Sequence, residues 1–303
     1  MHVLVSGSSG LIGSALTVSL PRRGHTVARL LRGAARAREQ DVVWDPETGD
    51  LDPPELRSVD ALVHLAGENI GREWTAARKA AIRASRVDAT RHLCQTLAQM
   101  KNPPRVLICA SAVGYYGDRG DEELDESAPP GHGFLADVCR DWEAATDAAA
   151  KAGIRTVNVR LAPILDPASG PLARMLPLFA AGLGGRLGSG RQYMSWGTLP
   201  DVLRAIEFAL EREDLAGPVN VVAPQAVTNA EFTRTLAAVL HRPALLPVPG
   251  FVLRIVLGGQ RAGELLLSSA RVVPRRLQAA GFQFENPELH PALEQLLEQT
   301  GRL

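Results

Sequence analysis

The chain has 303 residues, 46% of them hydrophobic, enough to bury a sizeable core as one large domain or two unequal ones. Lys plus Arg and Asp plus Glu each number 33, so no global charge excess points to nucleic acid or to an anionic membrane surface, and charge must act locally. No signal-peptide pattern opens the chain, the longest apolar stretch near Phe251 is broken by Pro247, Pro249 and Arg254, and Cys94, Cys109 and Cys139 fit neither a disulfide framework nor a zinc cluster. The expectation is a cytoplasmic protein, monomer or homodimer, with reduced buried thiols, a small-molecule substrate, no metal, and neither nucleic acid nor membrane as partner.

In chain order, Val3, Leu4 and Val5 suit a strand buried on both faces, and Leu11 to Leu20 carries apolar residues at helical spacing. Gly7, Gly10 and Gly13 therefore lie in a turn that joins a strand to a helix. Such a turn aims unpaired backbone N–H groups at one point and lets an anion approach closely, which suits a pyrophosphate. The contact set expected of it is Gly7, Ser9, Gly10, Leu11, Ile12 and Gly13, although the same glycines would serve a simple tight turn. The second strand, Thr26 to Leu31, stops at Arg32, about 20 residues beyond the last glycine, where dinucleotide folds meet the adenosine ribose. An acidic residue there holds a 2′-hydroxyl, whereas arginine accommodates a 2′-phosphate. Arg36 and Arg38 follow and no acid stands at the position, so NADP is favoured over NAD, with a solvated basic loop as the competing reading.

Asp41 to Trp44 reads as a third strand and Ala61 to Leu65 as a fourth. After the fourth, Leu65, Ala66 and Gly67 would let a cofactor ribose lie against backbone, or would simply turn the chain. A helical region is predicted from Arg72 to Met100, with Trp74, Ala77, Ala81, Ala84, Leu93 and Leu97 inward. The fifth strand, Arg105 to Cys109, leads into Ser111, whose hydroxyl could bond a substrate carbonyl at the C-terminal edge of a parallel sheet. Tyr115 and Tyr116 add phenols able to donate a proton, or to pack. Asp121 to Glu126 reads as a solvated loop, Gly133 to Lys151 as helix and Ile154 to Val159 as a sixth strand. This alternation predicts an α/β fold, a Rossmann-type doubly wound parallel sheet.

Beyond Arg160 the rhythm changes. After a helix from Leu172 to Leu183 comes a glycine-dense stretch to Trp196, in which Arg186, Arg191 and Trp196 could clamp a substrate or form a locally packed hairpin. A helix from Asp201 to Arg212, a strand from Val219 to Val222 and a Thr228-Asn-Ala-Glu231 capping box follow, and the tail from Pro249 is helical. The division expected is a nucleotide-binding domain over 1–160, its sheet completed by segments near 201–222, and a smaller substrate lobe with a helical C-terminal domain over 161–303.

Gly7-x-x-Gly10-x-x-Gly13, Leu65-Ala-Gly-Glu-Asn-Ile70, Ala84-Ser-Arg86, Ser111-Ala-Val-Gly-Tyr-Tyr-Gly117, Gly182-Leu-Gly-Gly185, Gly188-Ser-Gly-Arg191, Ser195-Trp196, Thr228-Asn-Ala-Glu-Phe232 and Ala280-Gly-Phe282 together carry a resemblance. The chain resembles the extended short-chain dehydrogenase/reductase superfamily, within it the NADP-dependent, nucleotide-sugar epimerase-like subfamily that has its own C-terminal domain. The resemblance implies a Rossmann-type domain holding NADP, Arg32 and Arg86 near its phosphates or ribose, and substrate beneath a smaller lobe.

Three departures from the superfamily pattern stand out. Superfamily enzymes carry Tyr-x-x-x-Lys, in which the lysine lowers the phenol pKa and orients the nicotinamide ribose. Alignment through Trp142-Glu143 puts Leu135 and Cys139 at those two positions, and the resembling subfamily generally shares the loss. Gly197-Thr-Leu-Pro-Asp201 stands where relatives read Ile-His-x-Asp-Asp, and Leu161-Ala-Pro163 where glycine is commoner. The expected function is an NADP-dependent oxidoreductase or epimerase acting on a small polar or nucleotide-linked substrate, with Ser111 and Tyr115 or Tyr116 at the reacting oxygen. The alternative is an NADP(H)-binding sensor or assembly protein without hydride chemistry.

Overall fold

The computed structural model describes residues 1–33, 41–49, 51 and 58–301. Arg36 and Arg38 lie outside the described residues. Seven strands form the central sheet: β1 (His2–Ser6), β2 (Thr26–Arg32), β3 (Val42–Trp44), β4 (Ala61–His64), β5 (Val106–Ala112), β6 (Arg155–Leu161) and β7 (Gly217–Val221), in the order β7-β6-β5-β4-β1-β2-β3. The pairs β1–β2, β1–β4, β2–β3 and β4–β5 are parallel. This is the doubly wound parallel sheet expected from the alternation. Val3, Leu4 and Val5 of β1 and Ala61, Leu62 and Val63 of β4 have no solvent exposure, as strands covered on both faces require. Each such valine or leucine contributes about 1.5–3 kcal/mol on burial.

The chain folds into two compact units, each made of three segments. The first comprises Met1–Ser111, Val138–Val159 and Leu203–Val219. Helix α1 (Leu11–Arg22) buries Gly13, Leu16 and Leu20. A second helical run joins α2 (Ala76–Arg83), a π turn over Ala84–Asp88, and α3 (Ala89–Gln99). It starts at the Thr75 cap, whose side chain accepts the Arg78 N–H, rather than at Arg72. Leu93 and Leu97 face inward as expected, but Ala77, Ala81 and Ala84 are exposed, and Ile82 and Val87 are the buried residues before Ala89. An alanine methyl is too small to set a helix face against isoleucine and valine, and the π turn spaces those two five residues apart.

The region from Gly133 to Lys151 is two helices, α4 (Phe134–Ala144) and α5 (Asp147–Lys151), not one. The break is at Thr146, whose hydroxyl donates to the Glu143 carbonyl at 2.7 Å. All three cysteines are buried, and none forms a disulfide.

The second unit comprises Ala112–Asp137, Arg160–Val202 and Asn220–Leu303. Its larger core gathers α6 (Gly170–Ala180), Trp196, α8 (Asn229–Val239) and the C-terminal helix Leu289–Glu298 through Leu172, Leu176, Phe232, Leu236, Leu293 and Leu297. Between α6 and α8 in sequence runs α7 (Leu199–Glu211). A smaller core joins Tyr116, Leu124, Ala162, Val222 and Val272. The acidic run 121–126 is therefore not a solvated loop: Glu123–Leu124 pairs in parallel with Arg271–Val272, Leu124 is fully buried, and the tail expected to be helical supplies that second strand. No helix among the described residues is long and apolar enough to cross a membrane.

Candidate nucleotide site and comparison with known proteins

The glycine turn has the geometry of a cradle. Gly7 takes a φ of +66°, and a methyl on it would lie 2.8 Å from the Leu65 carbonyl carbon. A methyl on Gly13 would lie 2.3 Å from the Gly7 carbonyl oxygen, so the start of α1 presses directly on the turn. Gly10 is the N-cap of α1 and no side chain caps that end. The N-terminal N–H groups and the positive end of the helix dipole are thus left to an outside anion. Beneath the turn, the fully buried Ser6 hydroxyl lies 2.7 Å from His64 Nδ1 and accepts the Leu65 N–H at 3.1 Å, tying the end of β1 to the exit of β4. Burial pushes the His64 imidazole down to about 4, so it is neutral at pH 7.

On one side of β1, Arg32 ends β2 with its side chain exposed. With Gly33, Val43, Trp44, Asp45, Pro46 and Glu47 it lines an open depression of about 490 Å³. On the other side, Leu65, Ala66 and Gly67 follow β4, and the Arg86 guanidinium lies against Gly67, donating to the Glu68 carbonyl at 2.9 Å.

The residues expected to carry chemistry are more enclosed. Ser111, the residue before the last of β5, is 2% exposed and donates its hydrogen to Glu143 Oε1 at 2.6 Å. A reacting oxygen would have to compete with that carboxylate. Tyr116 belongs to the core: its hydroxyl lies 2.9 Å from the Asp125 carbonyl and 2.8 Å from Asn220 Oδ1, and accepts from Arg160 Nη1 at 2.8 Å. Burial pushes its phenol up to about 12, against the opposing pull of Arg160. Tyr115 is half-buried, with the Arg160 guanidinium 3.6 Å from its ring centroid.

Trp196 is also core, 1% exposed, its indole N–H donating to the Gln225 carbonyl at 2.7 Å, so no ring face is left to stack on a substrate. Arg186 and Arg191 are exposed on one tight turn, in which Arg186 Nη1 donates to the Ser189 carbonyl at 3.3 Å. That arm is pinned rather than loose, by the Leu187 N–H to Asn229 Oδ1 at 2.7 Å and the Gly188 N–H to the Val248 carbonyl at 2.8 Å. Leu135 donates its N–H to Glu264 at 2.8 Å, and Cys139 is buried one turn further along α4.

Several participants escaped the sequence reading. Arg160 is a 2% exposed arginine near the end of a strand whose apolar positions alternate with Arg155, Thr156 and Asn158, so the sequence carried no signal for it. Glu143 served only to align α4, and Glu126, whose carboxylate accepts the Asn220 N–H at 3.0 Å, was hidden in the acidic run. Asp201 holds the loop at Glu285 and Asn286, accepting their N–H groups at 2.8 and 2.9 Å.

Residues 3–223 match the NAD dependent epimerase/dehydratase family, and residues 248–296 match a domain of unknown function, DUF1731. The chain belongs to the NAD dependent epimerase/dehydratase family. An epimerase family protein of Mycobacterium tuberculosis is 47% identical over 292 residues, 96% of each chain, and the human epimerase family protein SDR39U1 is 37% identical over 301 residues, covering 98% of this chain and 100% of that one. A crystal structure of human SDR39U1 (isoform 2) with NADPH superposes with a TM-score of 0.88 at 36% identity, over 98% of this chain and 99% of that one. A nucleoside-diphosphate sugar epimerase from Corynebacterium glutamicum superposes with a TM-score of 0.77 at 34% identity, over 98% of this chain and 58% of that one.

Proposed function

We propose that this chain binds NADP(H) across the ends of β2, β1 and β4 and uses it, as an NADP-dependent oxidoreductase or epimerase, on a small polar or nucleotide-linked substrate. The observation that carries the cofactor half is the uncapped N-terminus of α1 above a turn closed by Gly7 and Gly13, with an exposed Arg32 at the end of the neighbouring strand. The pyrophosphate would meet Gly7, Ser9, Gly10, Leu11, Ile12 and Gly13, the 2′-phosphate Arg32, and the ribose beyond it Leu65, Ala66 and Gly67. The human relative crystallised with NADPH supports the phosphorylated cofactor. When bound, the nicotinamide supplies a hydride donor or acceptor.

For the substrate, Arg186 and Arg191 present two guanidinium forks suited to phosphate or carboxylate. Tyr115 is the phenol left for proton exchange, since that of Tyr116 is enclosed by three hydrogen-bond partners. Ser111 reaches the reacting oxygen by turning its hydroxyl from Glu143 to substrate and donating the same hydrogen there.

The test has two stages. In fluorescence titrations Arg32→Ala should weaken NADPH by about tenfold or more, as loss of a charge-assisted bond does, and leave NADH nearly unchanged. Equal weakening would remove the 2′-phosphate role, and no NADPH binding by the wild type would remove the whole reading. NADPH consumption is then followed over carbonyl compounds and nucleotide sugars, where turnover lost in Tyr115→Phe supports the enzyme.

A second reading rests on a specific observation. Leu135 and Cys139 stand where a proton-transferring pair is expected, and the Tyr116 phenol is held near 12 in the core. A protein that binds NADP(H) and performs no hydride transfer would show tight binding with no turnover across the panel.

A further inference from the structure

Acidic and basic residues balance over the whole chain but not along it. No Asp or Glu occurs at 167–200 or at 232–263, while arginines recur in both stretches. Both belong to the second unit, and the fold lays them side by side. The Leu246 N–H donates to the Gly184 carbonyl at 3.2 Å, the Val248 N–H to the Arg186 carbonyl at 2.9 Å, and Arg242 Nε to the Ala180 carbonyl at 3.0 Å. Beyond Pro249 the second stretch enters a further helix, α9 (Gly250–Leu257), whose buried residue is Leu253.

Seven of the eight large hydrophobic side chains that stand exposed among the described residues fall in these two stretches. Leu178 and Leu183 stand at the end of α6, where the Leu183 N–H donates to the Leu178 carbonyl at 2.9 Å. Leu245 and Leu246 lie on the facing segment, and the other three on α9. Single exposed apolar residues are ordinary, whereas a cluster of them marks a surface that is covered in use. Cations stand among them: Arg174 is one helical turn from Leu178, and Arg254 three residues from Phe251, both exposed. The cover must therefore be apolar within and anionic at its edge. A second copy meeting this face with its own would set arginine against arginine, with no acid from either stretch between them. Nor does the face line a hollow. Leu245 is 80% exposed, Ile255 78%, Val256 71% and Phe251 66%, so these side chains project and require a partner that they can enter.

Independently of the cofactor reading, we propose that this face is a peripheral docking surface for an anionic phospholipid bilayer. The projecting side chains of α9 and Leu245 enter the boundary between headgroups and acyl chains, and Arg174, Arg242 and Arg254 meet lipid phosphates. The whole-chain balance of 33 basic and 33 acidic residues, which sets aside a global attraction to a membrane, conceals this local excess. Attachment is reversible, because α9 has only eight residues and keeps Leu253 for the protein core.

The experiment sediments the full chain with vesicles of equal parts phosphatidylglycerol and phosphatidylcholine, and with vesicles of phosphatidylcholine alone. Wild type should bind the first at low salt, bind the second about tenfold more weakly or worse, and leave the first as salt rises. Ile255→Ser should weaken binding about tenfold and Arg254→Gln about fivefold, while Val18→Ser, at the exposed hydrophobic outside the two stretches, should change nothing. All three are surface substitutions, and a cooperative transition at the wild-type Tm checks that each variant folds. If one does not, Phe251→Ser takes the place of Ile255→Ser and Arg242→Gln that of Arg254→Gln. No binding by wild type, equal binding to both vesicles, or binding that both substitutions leave unchanged would overturn the proposal. Self-association that Ile255→Ser abolishes, without vesicle binding, would give the face to a second copy, and a monomer that binds no vesicle would give it to an acidic protein. Either result would sink the bilayer assignment.

Discussion

A histidine enclosed on every side and left neutral makes stability depend on pH. In the unfolded chain His64 titrates near 6.5, and in the fold near 4, because burial penalises its charged form. Below 6.5 the unfolded state takes up a proton that the folded state refuses, so stability falls as pH drops and levels off below about 4. The difference is about 3 kcal/mol at its full extent, and above 6.5 the residue adds no slope. Urea unfolding of wild type and His64→Asn between pH 7 and 4 should show a smaller acid slope in the variant, and parallel curves would mean His64 is not the group responsible. The place of Arg32 at the end of β2 could be read from the sequence because it depends on strand phase alone. Tyr116 and Trp196 could not, since the partners that enclose them, Asn220 and Gln225, lie 104 and 29 residues away.

At the scale of elements, local signals survived folding wherever the deciding contacts were also local. The strand, turn and helix at the N-terminus span about 20 residues and make each other necessary. Thr228 and Glu231 form both halves of the reciprocal capping box, as their spacing indicated. Thr228→Ala should cost about 1 kcal/mol of stability in urea unfolding, and Thr228→Ser much less. The alanine-rich front of the second helical run misled for the opposite reason. Its inward face is chosen by a π turn that no residue spacing announces, and that turn exists to serve a loop 17 residues back, where Ser85 meets Glu68.

For the molecule as a whole, binding NADPH to the folded state alone must raise stability by mass action. At a free concentration 100 times Kd the gain is about 2.7 kcal/mol, read as a rise in Tm on adding NADPH. At the same NADPH concentration the rise should shrink in Arg32→Ala, and an unchanged rise would locate binding elsewhere. The α/β class was legible because alternation of strand and helix is a property of the sequence order. The partition of the chain into units was not, because residues 112–137 join the second unit through Tyr116 and Leu124, which pack with Ala162, Val222 and Val272 far downstream.

That threefold interleaving governs how the chain can be made and cut. The first unit is not complete until residues 203–219 have left the ribosome, after two segments of the second unit have already emerged. Until then β6 has no outer neighbour, because β7 is the last strand of the sheet to be synthesised. A nascent or truncated chain ending near residue 160 or 202 thus presents an open strand edge, the template for pairing with another chain. Neither unit can be excised by a single cut, and expression fragments that stop short of Val221 trade a closed sheet for a surface that recruits copies of itself.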